Sequence, residues 1–331
     1  MKTYLVTGGL GFIGLNFIKS IISNEKNFII NLDKKTYASN EDIFTNQKNY
    51  KFFHGDILDK KLVSKIFNNY KIDIVVNFAA ESHVDNSFSG PDLFFKTNTL
   101  GSQNLIEIAH QNWKNKKNKL FLQISTDEVY GSSKDVEFFE TDSCHPTSPY
   151  SLTKYFAEIV TQKYIKEYNF PAIITRSSNN FGFYQHPEKL IPKTFLSCVL
   201  NQNITLYKSS KYHKRNWLFV EDNVKALNLI IEKGEIGEIY NICSSSELEN
   251  IEMIKKIIKF VKQNINKKIS TKKIKIEDKR KLDDERYLIN SDKIKKLGFK
   301  PTNFEENFEK TMIFYQNNLD LLINQNKRNF N

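Results

Sequence analysis

Short apolar runs alternate with segments of helical period through the first half of the chain. The runs at residues 4–7, 28–32, 51–54, 72–78, 120–125 and 172–176 are β-rich, and the stretches between them repeat their apolar positions at helical spacing. Strands alternating with helices imply parallel βαβ units. Continuous triplets such as Ile74-Val75-Val76 suit strands covered on both faces. The expected fold is α/β, a Rossmann-type doubly wound parallel sheet with a smaller α/β substrate-binding lobe. After Arg176 the pattern breaks at Gly182, Pro187 and Pro192, and a basic loop covers 208–215, as ligand-contacting loops often do. A helix at 224–231 and a strand at 239–242 return to the sheet, and an amphipathic helix after Pro301 runs through Tyr315. The expected division is a discontinuous cofactor domain, 1–182 with 216–242, and a substrate domain, 183–215 with 243–325. The stretch 326–331 is expected to fray.

Composition narrows the classes. With 331 residues, 40% hydrophobic, the chain can bury a substantial core. Its net charge of +11 comes from lysines that are densest between Lys255 and Lys281, alternating with isoleucine. Such a run reads as a solvated face, and without finger or helix-turn-helix signatures no nucleic-acid partner is expected. An anionic, nucleotide-sized substrate accounts for the bias equally well. Cys144, Cys198 and Cys243 are odd in number and far apart, which suits reduced thiols and no metal. The amino terminus turns directly into a strand and no apolar run approaches the ~20 residues of a membrane span, so no signal peptide, no membrane contact and a cytoplasmic location are expected.

The turn Gly8-Gly9-Leu10-Gly11-Phe12-Ile13-Gly14 follows the first strand and opens a helix. Glycines there let backbone N–H groups approach a pyrophosphate at the positive end of the helix. Asp33 ends the second strand about 20 residues on, placed to accept hydrogen bonds from an adenosine ribose, which favours NAD. Lys34 and Lys35 could reach a 2′-phosphate and keep NADP open. Asp56 after the third strand would cap the adenine pocket, and Ala79 and Ala80 after the fourth would keep its floor small.

Tyr150 and Lys154 stand four apart, on one helical face. The ammonium is expected to lower the phenol below its free pKa of ~10, so that Tyr150 accepts a hydroxyl proton while hydride leaves the same carbon. Thr126, at the carboxyl end of the fifth strand, could hold the same substrate oxygen. Asp127 and Glu128 follow it. They read either as an acidic turn capping the next segment or as an acid and base whose proximity drives their pKa values apart. Hydride transfer needs no such pair; elimination of water does.

These residues, with the blocks at 32–38, 80–85, 97–98, 125–131, 148–151, 178–180, 187–192, 215–217 and 284–287, resemble the nucleotide-sugar 4,6-dehydratases of the extended short-chain dehydrogenase/reductase superfamily. The Thr-Asp-Glu triplet is the specific part, since related 4-epimerases lack the acidic pair. The resemblance implies a catalytic set of Thr126, Asp127, Glu128, Tyr150 and Lys154. Tyr150 would take the C4 hydroxyl proton, Glu128 the C5 proton, and Asp127 would protonate the leaving 6-hydroxyl. It implies cofactor contacts from Gly8, Gly11, Phe12, Ile13, Gly14, Asp33, Lys34, Thr36, Asp56, Ile57, Ala79, Ala80, Ser82 and Thr97 besides Tyr150 and Lys154. It implies substrate contacts from His83, Thr126, Asn179, Lys189, Leu190, Arg215, Asn250 and Arg280, and a homodimer formed through the helices following Leu93 and Tyr150.

Two departures bear on the substrate. Where the dTDP-glucose branch carries arginine after His83-Val84-Asp85, this chain has Asn86-Ser87-Phe88, which is closer to UDP-glucose 4,6-dehydratases. Residues 280–284 also lack the branch's Arg-Pro-Gly-His-Asp run. dTDP-glucose, UDP-glucose and UDP-N-acetylglucosamine therefore all stay open. The alternatives to a dehydratase are a 4-epimerase or decarboxylase of the same fold, or a catalytically silent dinucleotide-binding protein.

Overall fold

The computed structural model describes residues 1–133, 135–278 and 284–328. The strands are β1 (Lys2–Thr7), β2 (Asn27–Asp33), β3 (Tyr50–His54), β4 (Ile74–Asn77), β5 (Leu120–Thr126), β6 (Ala172–Ser177), β7 (Asn179–Phe181), β8 (Ile204–Tyr207), β9 (Lys214–Phe219), β10 (Ile239–Ile242), β11 (Glu247–Glu249) and β12 (Ile274–Glu277). The helices are α1 (Phe12–Ile21), α2 (Lys60–Asn69), α3 (Val84–Ser89), α4 (Pro91–Phe94), α5 (Ser102–Asn112), α6 (Pro149–Tyr168), α7 (Leu190–Val199), α8 (Val220–Lys233), α9 (Asn250–Asn264), α10 (Asp292–Lys296), α11 (Phe304–Asn317) and α12 (Leu319–Arg328).

Seven strands form one parallel sheet in the order β10-β6-β5-β4-β1-β2-β3. The chain order reverses between β1 and β4, which opens a crevice beyond the carboxyl ends of the strands. The apolar runs fill both faces. Tyr4, Val6, Ile74 and Val76 enter one core, while Leu5, Val75 and Phe121 enter the other. Each such side chain contributes roughly 1.5–3 kcal/mol of burial, so the register that satisfies both faces is strongly selected.

A third hydrophobic cluster lies in the remaining layer, where Ile191, Phe195, Trp217, Ile254, Ile257, Met312 and Tyr315 pack together. Two small sheets support it, β11-β9-β7 and β12-β8. The Lys-rich stretch resolves into α9, a short 3-10 turn and β12. The isoleucines of α9 at 251, 254, 257 and 258 are buried while its lysines point outward.

Three features differ from the sequence expectations. The end of the supposed basic loop at 208–215 is strand, since Lys214 and Arg215 begin β9 and pair with β11. The tail expected to fray from 326 is helical to Arg328, because α12 docks on the loop after β2 through Gln325 and Arg328; 329–331 lie outside the described residues. A π-helical stretch, Phe95–Gly101, joins α4 to α5 and carried no signal in the apolar period. It turns Asn98 toward the loop after β4, where its amide exchanges hydrogen bonds with the Glu81 backbone at 2.8 and 3.1 Å and donates to Thr153 Oγ1.

α6 carries Tyr150 and Lys154, and two devices fix it. Ser148 and Ser151 form a reciprocal capping box with Pro149 at the first turn. Further along, Glu158 accepts from Arg176 of β6 at 2.6 and 3.1 Å, a pair almost wholly removed from solvent. The same guanidinium lies 4.5 Å over the Tyr130 ring, so strand, helix and the turn after β5 are tied at one point.

Candidate active site

β1 delivers the glycine turn to the crevice. Gly8 has φ +67, and a Cβ there would sit 2.7 Å from the Ala79 backbone nitrogen; one on Gly14 would sit 2.4 Å from Gly8 O. Both positions demand glycine because a side chain there would strike the chain's own backbone, and the tight turn so formed presents its N–H groups at the start of α1, where a pyrophosphate can approach. Asp33 is buried and ties this turn to the loop after β2. Its Oδ2 accepts from Leu10 N at 3.0 Å, and its Oδ1 from Lys35 N at 2.7 Å and Ser39 Oγ at 3.3 Å. Those bonds use three of about four lone-pair sites, so a ribose hydroxyl is left about one.

Every residue expected to contact the cofactor lines the cavity above this turn. Lys34 donates to Glu81 at 2.9 Å and stands 3.9 Å from Asp56 and 3.4 Å from Thr97 Oγ1. Lys35 lies 4.7 Å over the Phe52 ring. Both cations that kept NADP open are thus engaged with groups of this chain. The sequence reading missed Gln185, His186 and Glu188, which reach the same cavity from the loop after β7. Their positions carry no periodicity, only the Pro187 break beside them.

A second cavity of about 450 Å³ abuts the first, and Ser82, Glu188 and Lys189 line both. His83, Asn179, Lys189, Leu190, Arg215 and Asn250 all line it, as does Glu128. Lys189 donates to Ser82 O at 2.8 Å, Asn250 to Ser210 O at 2.9 Å, and Arg215 to Asp284 O at 2.7 Å while stacking 4.8 Å over Tyr287. The Asn179 Oδ1 is buried with no partner among the described residues, a vacant acceptor beside a polar cavity. Arg280 lies outside the described residues. Tyr287 and Asp284, which donate and accept a 2.7 Å hydrogen bond on the cavity wall, were seen in the sequence only as part of a block.

The acidic triplet forms a short 3-10 turn, Asp127–Tyr130, capped by Thr126, whose Oγ1 accepts from Glu128 N at 3.3 Å and donates to Asp127 Oδ1 at 3.2 Å. The capping and the acid/base readings are therefore both realised in one element. Asp127 is buried, and burial together with the Glu128 carboxylate holds its carboxyl well above the usual range. Its Oδ2 has no partner among the described residues. Thr126 is committed to its neighbours and neither it nor Asp127 lines the two cavities; Glu128 does.

The Tyr/Lys pair departs from expectation. Lys154 donates to Ile124 O at 2.6 Å, and burial lowers its pKa to about 8. Tyr150 is pushed upward, by burial and then by the Glu128 charge, with the Thr126 hydroxyl acting in the opposite sense. Lys154 is not among the groups that shift the phenol, and its ammonium is bonded to the strand carbonyl. Tyr150 nevertheless lines the cofactor cavity, as Lys154 does, and feels the charge of Glu128, which lines the adjoining substrate cavity.

Comparison with known proteins places this geometry among others. The profile of the family described as GDP-mannose 4,6 dehydratase matches residues 5–311. The chain is 40% identical to the low-salt glycan biosynthesis protein Agl12 of Haloferax volcanii, over 94% of this chain and 97% of that one. It is 39% identical to dTDP-glucose 4,6-dehydratase of Haemophilus influenzae, over 95% and 98%. The crystal structure of dTDP-glucose 4,6-dehydratase from Streptomyces venezuelae with NAD bound superposes with a TM-score of 0.88 at 32% identity, covering 96% of this chain and 97% of that one.

Proposed function

The chain belongs to the GDP-mannose 4,6-dehydratase family and is an NAD-dependent nucleotide-sugar 4,6-dehydratase, and from that premise we propose that its substrate is dTDP-D-glucose. The observation that carries the reading is the acidic turn at the junction of the two cavities, with one carboxyl held protonated beside another that faces the substrate cavity. The Haemophilus influenzae and Streptomyces venezuelae relatives are dTDP-glucose 4,6-dehydratases, which favours that hexose nucleotide over the UDP-sugars suggested by Asn86. The product is dTDP-4-keto-6-deoxy-D-glucose, formed with no net redox change.

When bound, NAD would supply the hydride chemistry, acceptance from C4 and return at C6. The glycine turn, Asp33 and Asp56 hold it, and the residues do the rest. Tyr150 takes the C4 hydroxyl proton, with Lys154 supplying positive charge nearby. The 4-keto group then acidifies C5, and Glu128, facing the substrate cavity, removes that proton. Asp127, kept protonated by burial, supplies a proton to the departing 6-hydroxyl through its unpartnered oxygen. Each proton transfer of this kind contributes ~10²- to 10⁴-fold. Arg215, Lys189 and Asn179 hold the nucleotide diphosphate and sugar.

We assign 1–182 with 216–242 to the cofactor domain and 183–215 with 243–325 to the sugar-nucleotide domain. The cluster around Phe195, Ile254 and Met312 draws most of its residues from the second set of ranges, with Phe181, Trp217, Phe219 and Val220 joining it from the first. We further propose a homodimer. Leu93, Phe95 and Leu100 on one segment and Leu152, Phe156 and Ile159 on α6 are exposed, and Phe95 meets Phe156 edge-on at 6.1 Å. An apolar face of this kind on a monomer marks a contact surface, and a second copy offers the same face.

NMR of the product in D₂O tests the reaction and the substrate together. dTDP-glucose should give a 4-keto-6-deoxy sugar, UDP-glucose and UDP-N-acetylglucosamine little or none. Glu128→Gln should still exchange hydride at C4 while losing elimination by ~10²-fold or more. Full dehydratase turnover by that variant would remove Glu128 from its role.

A further inference from the structure

Hydride leaves at C4 and returns at C6, so release of the cofactor between the two transfers would abandon an oxidised sugar. The C-terminal helix is built against the walls that would prevent this. Leu322 of α12 enters the second-lobe core, and Gln325, one turn on and 1% exposed, donates from Nε2 to Asn40 Oδ1 at 2.8 Å. Asn40 in turn donates from Nδ2 to Leu10 O at 3.1 Å and to Tyr184 O at 3.3 Å, and from its backbone to Leu10 O at 2.8 Å. Leu10 lies inside the glycine turn. Tyr184 leads into Gln185 and His186, which line the cofactor cavity, and Arg328 donates to Ser39 O at 3.4 Å, on the same wall. One buried amide thus joins the glycine turn, the loop after β2 and the loop after β7.

Packing alone does not explain that amide. Gln325 Oε1 is buried with no partner among the described residues, and a half-satisfied amide is a poorer core residue than an apolar one of equal volume. Its use is in the bond it does make. We propose that Gln325 is a positioning residue which, through Asn40, clamps the glycine turn to the two loops flanking it and slows the release of NAD. The inference rests on NAD as the resident cofactor.

Gln325→Met in the full chain keeps the volume and removes the amide. Its NAD dissociation rate, followed by cofactor fluorescence after dilution of reduced holoenzyme, should rise about tenfold, the scale of one buried hydrogen bond lost. kcat at saturating NAD and KM for the sugar nucleotide should match the parent. Arg328→Ala, at the surface, should raise the same rate by a smaller factor. An unchanged dissociation rate in Gln325→Met overturns the proposal. So does a faster rate accompanied by an equally raised KM for the sugar nucleotide, which would make Gln325 a structural residue whose loss loosens the whole site. Either result leaves the dehydratase reading untouched, since that is tested by product NMR.

Discussion

At the residue scale, the chemistry depends on where protons are held. Spacing showed that Asp127 and Glu128 are adjacent, but adjacency alone does not say which is the acid. Burial separates them, since Asp127 is enclosed and pushed upward while Glu128 reaches the cavity. Asp127 therefore holds its proton more tightly in the folded protein than in the unfolded chain. That group's effect on stability worsens as pH rises from the unfolded pKa toward the folded one. Asp127→Asn removes the titration, so urea denaturation should show the variant gaining stability relative to the parent as pH is raised from 4 to 8. A difference that does not change with pH would mean the carboxyl is not held protonated.

At the element scale, α6 presents Tyr150 and Lys154 at a fixed angle because its start is capped and its middle is tied to β6. The four-residue spacing put the pair on one face, and Ser148-Pro149 marked the helix start. The Glu158–Arg176 pair was illegible, because nothing in either local pattern says that an acid on a helix and a base on a strand will meet in the core. Removing one partner leaves a buried charge uncompensated. Glu158→Ala should cost about 3–5 kcal/mol in chemical denaturation, whereas Glu158→Met with Arg176→Met should recover most of it. A loss below ~1 kcal/mol for the single variant would show that the pair is not fixing the helix. The π-helical stretch at Phe95–Gly101 was missed for a similar reason, since its hydrogen-bond pattern is settled by Asn98 reaching a distant loop.

At the scale of the whole molecule, the two cavities adjoin, and Ser82, Glu188 and Lys189 form the wall they share. The proposed second copy would cover the apolar face of α6, the helix that carries Tyr150 and Lys154. Phe156→Asp with Leu152→Asp should yield a monomer by light scattering. Because that face is the one opposite the buried Thr153 and Lys154, the variant's isolated fold should persist. A parent protein that is already monomeric would remove the dimer.

The sequence by itself determined the parallel sheet, the glycine turn with Asp33, and the Tyr150/Lys154 pair on one helical face. Those are properties of period and short spacing, which β-strands and helices translate directly into geometry. Only the tertiary structure decided that Lys154 is tied to Ile124, that Thr126 is occupied by the turn it caps, and that the last helix returns to clamp the first loop. Each depends on residues far apart in the chain meeting out of water, and local sequence carries no record of such meetings.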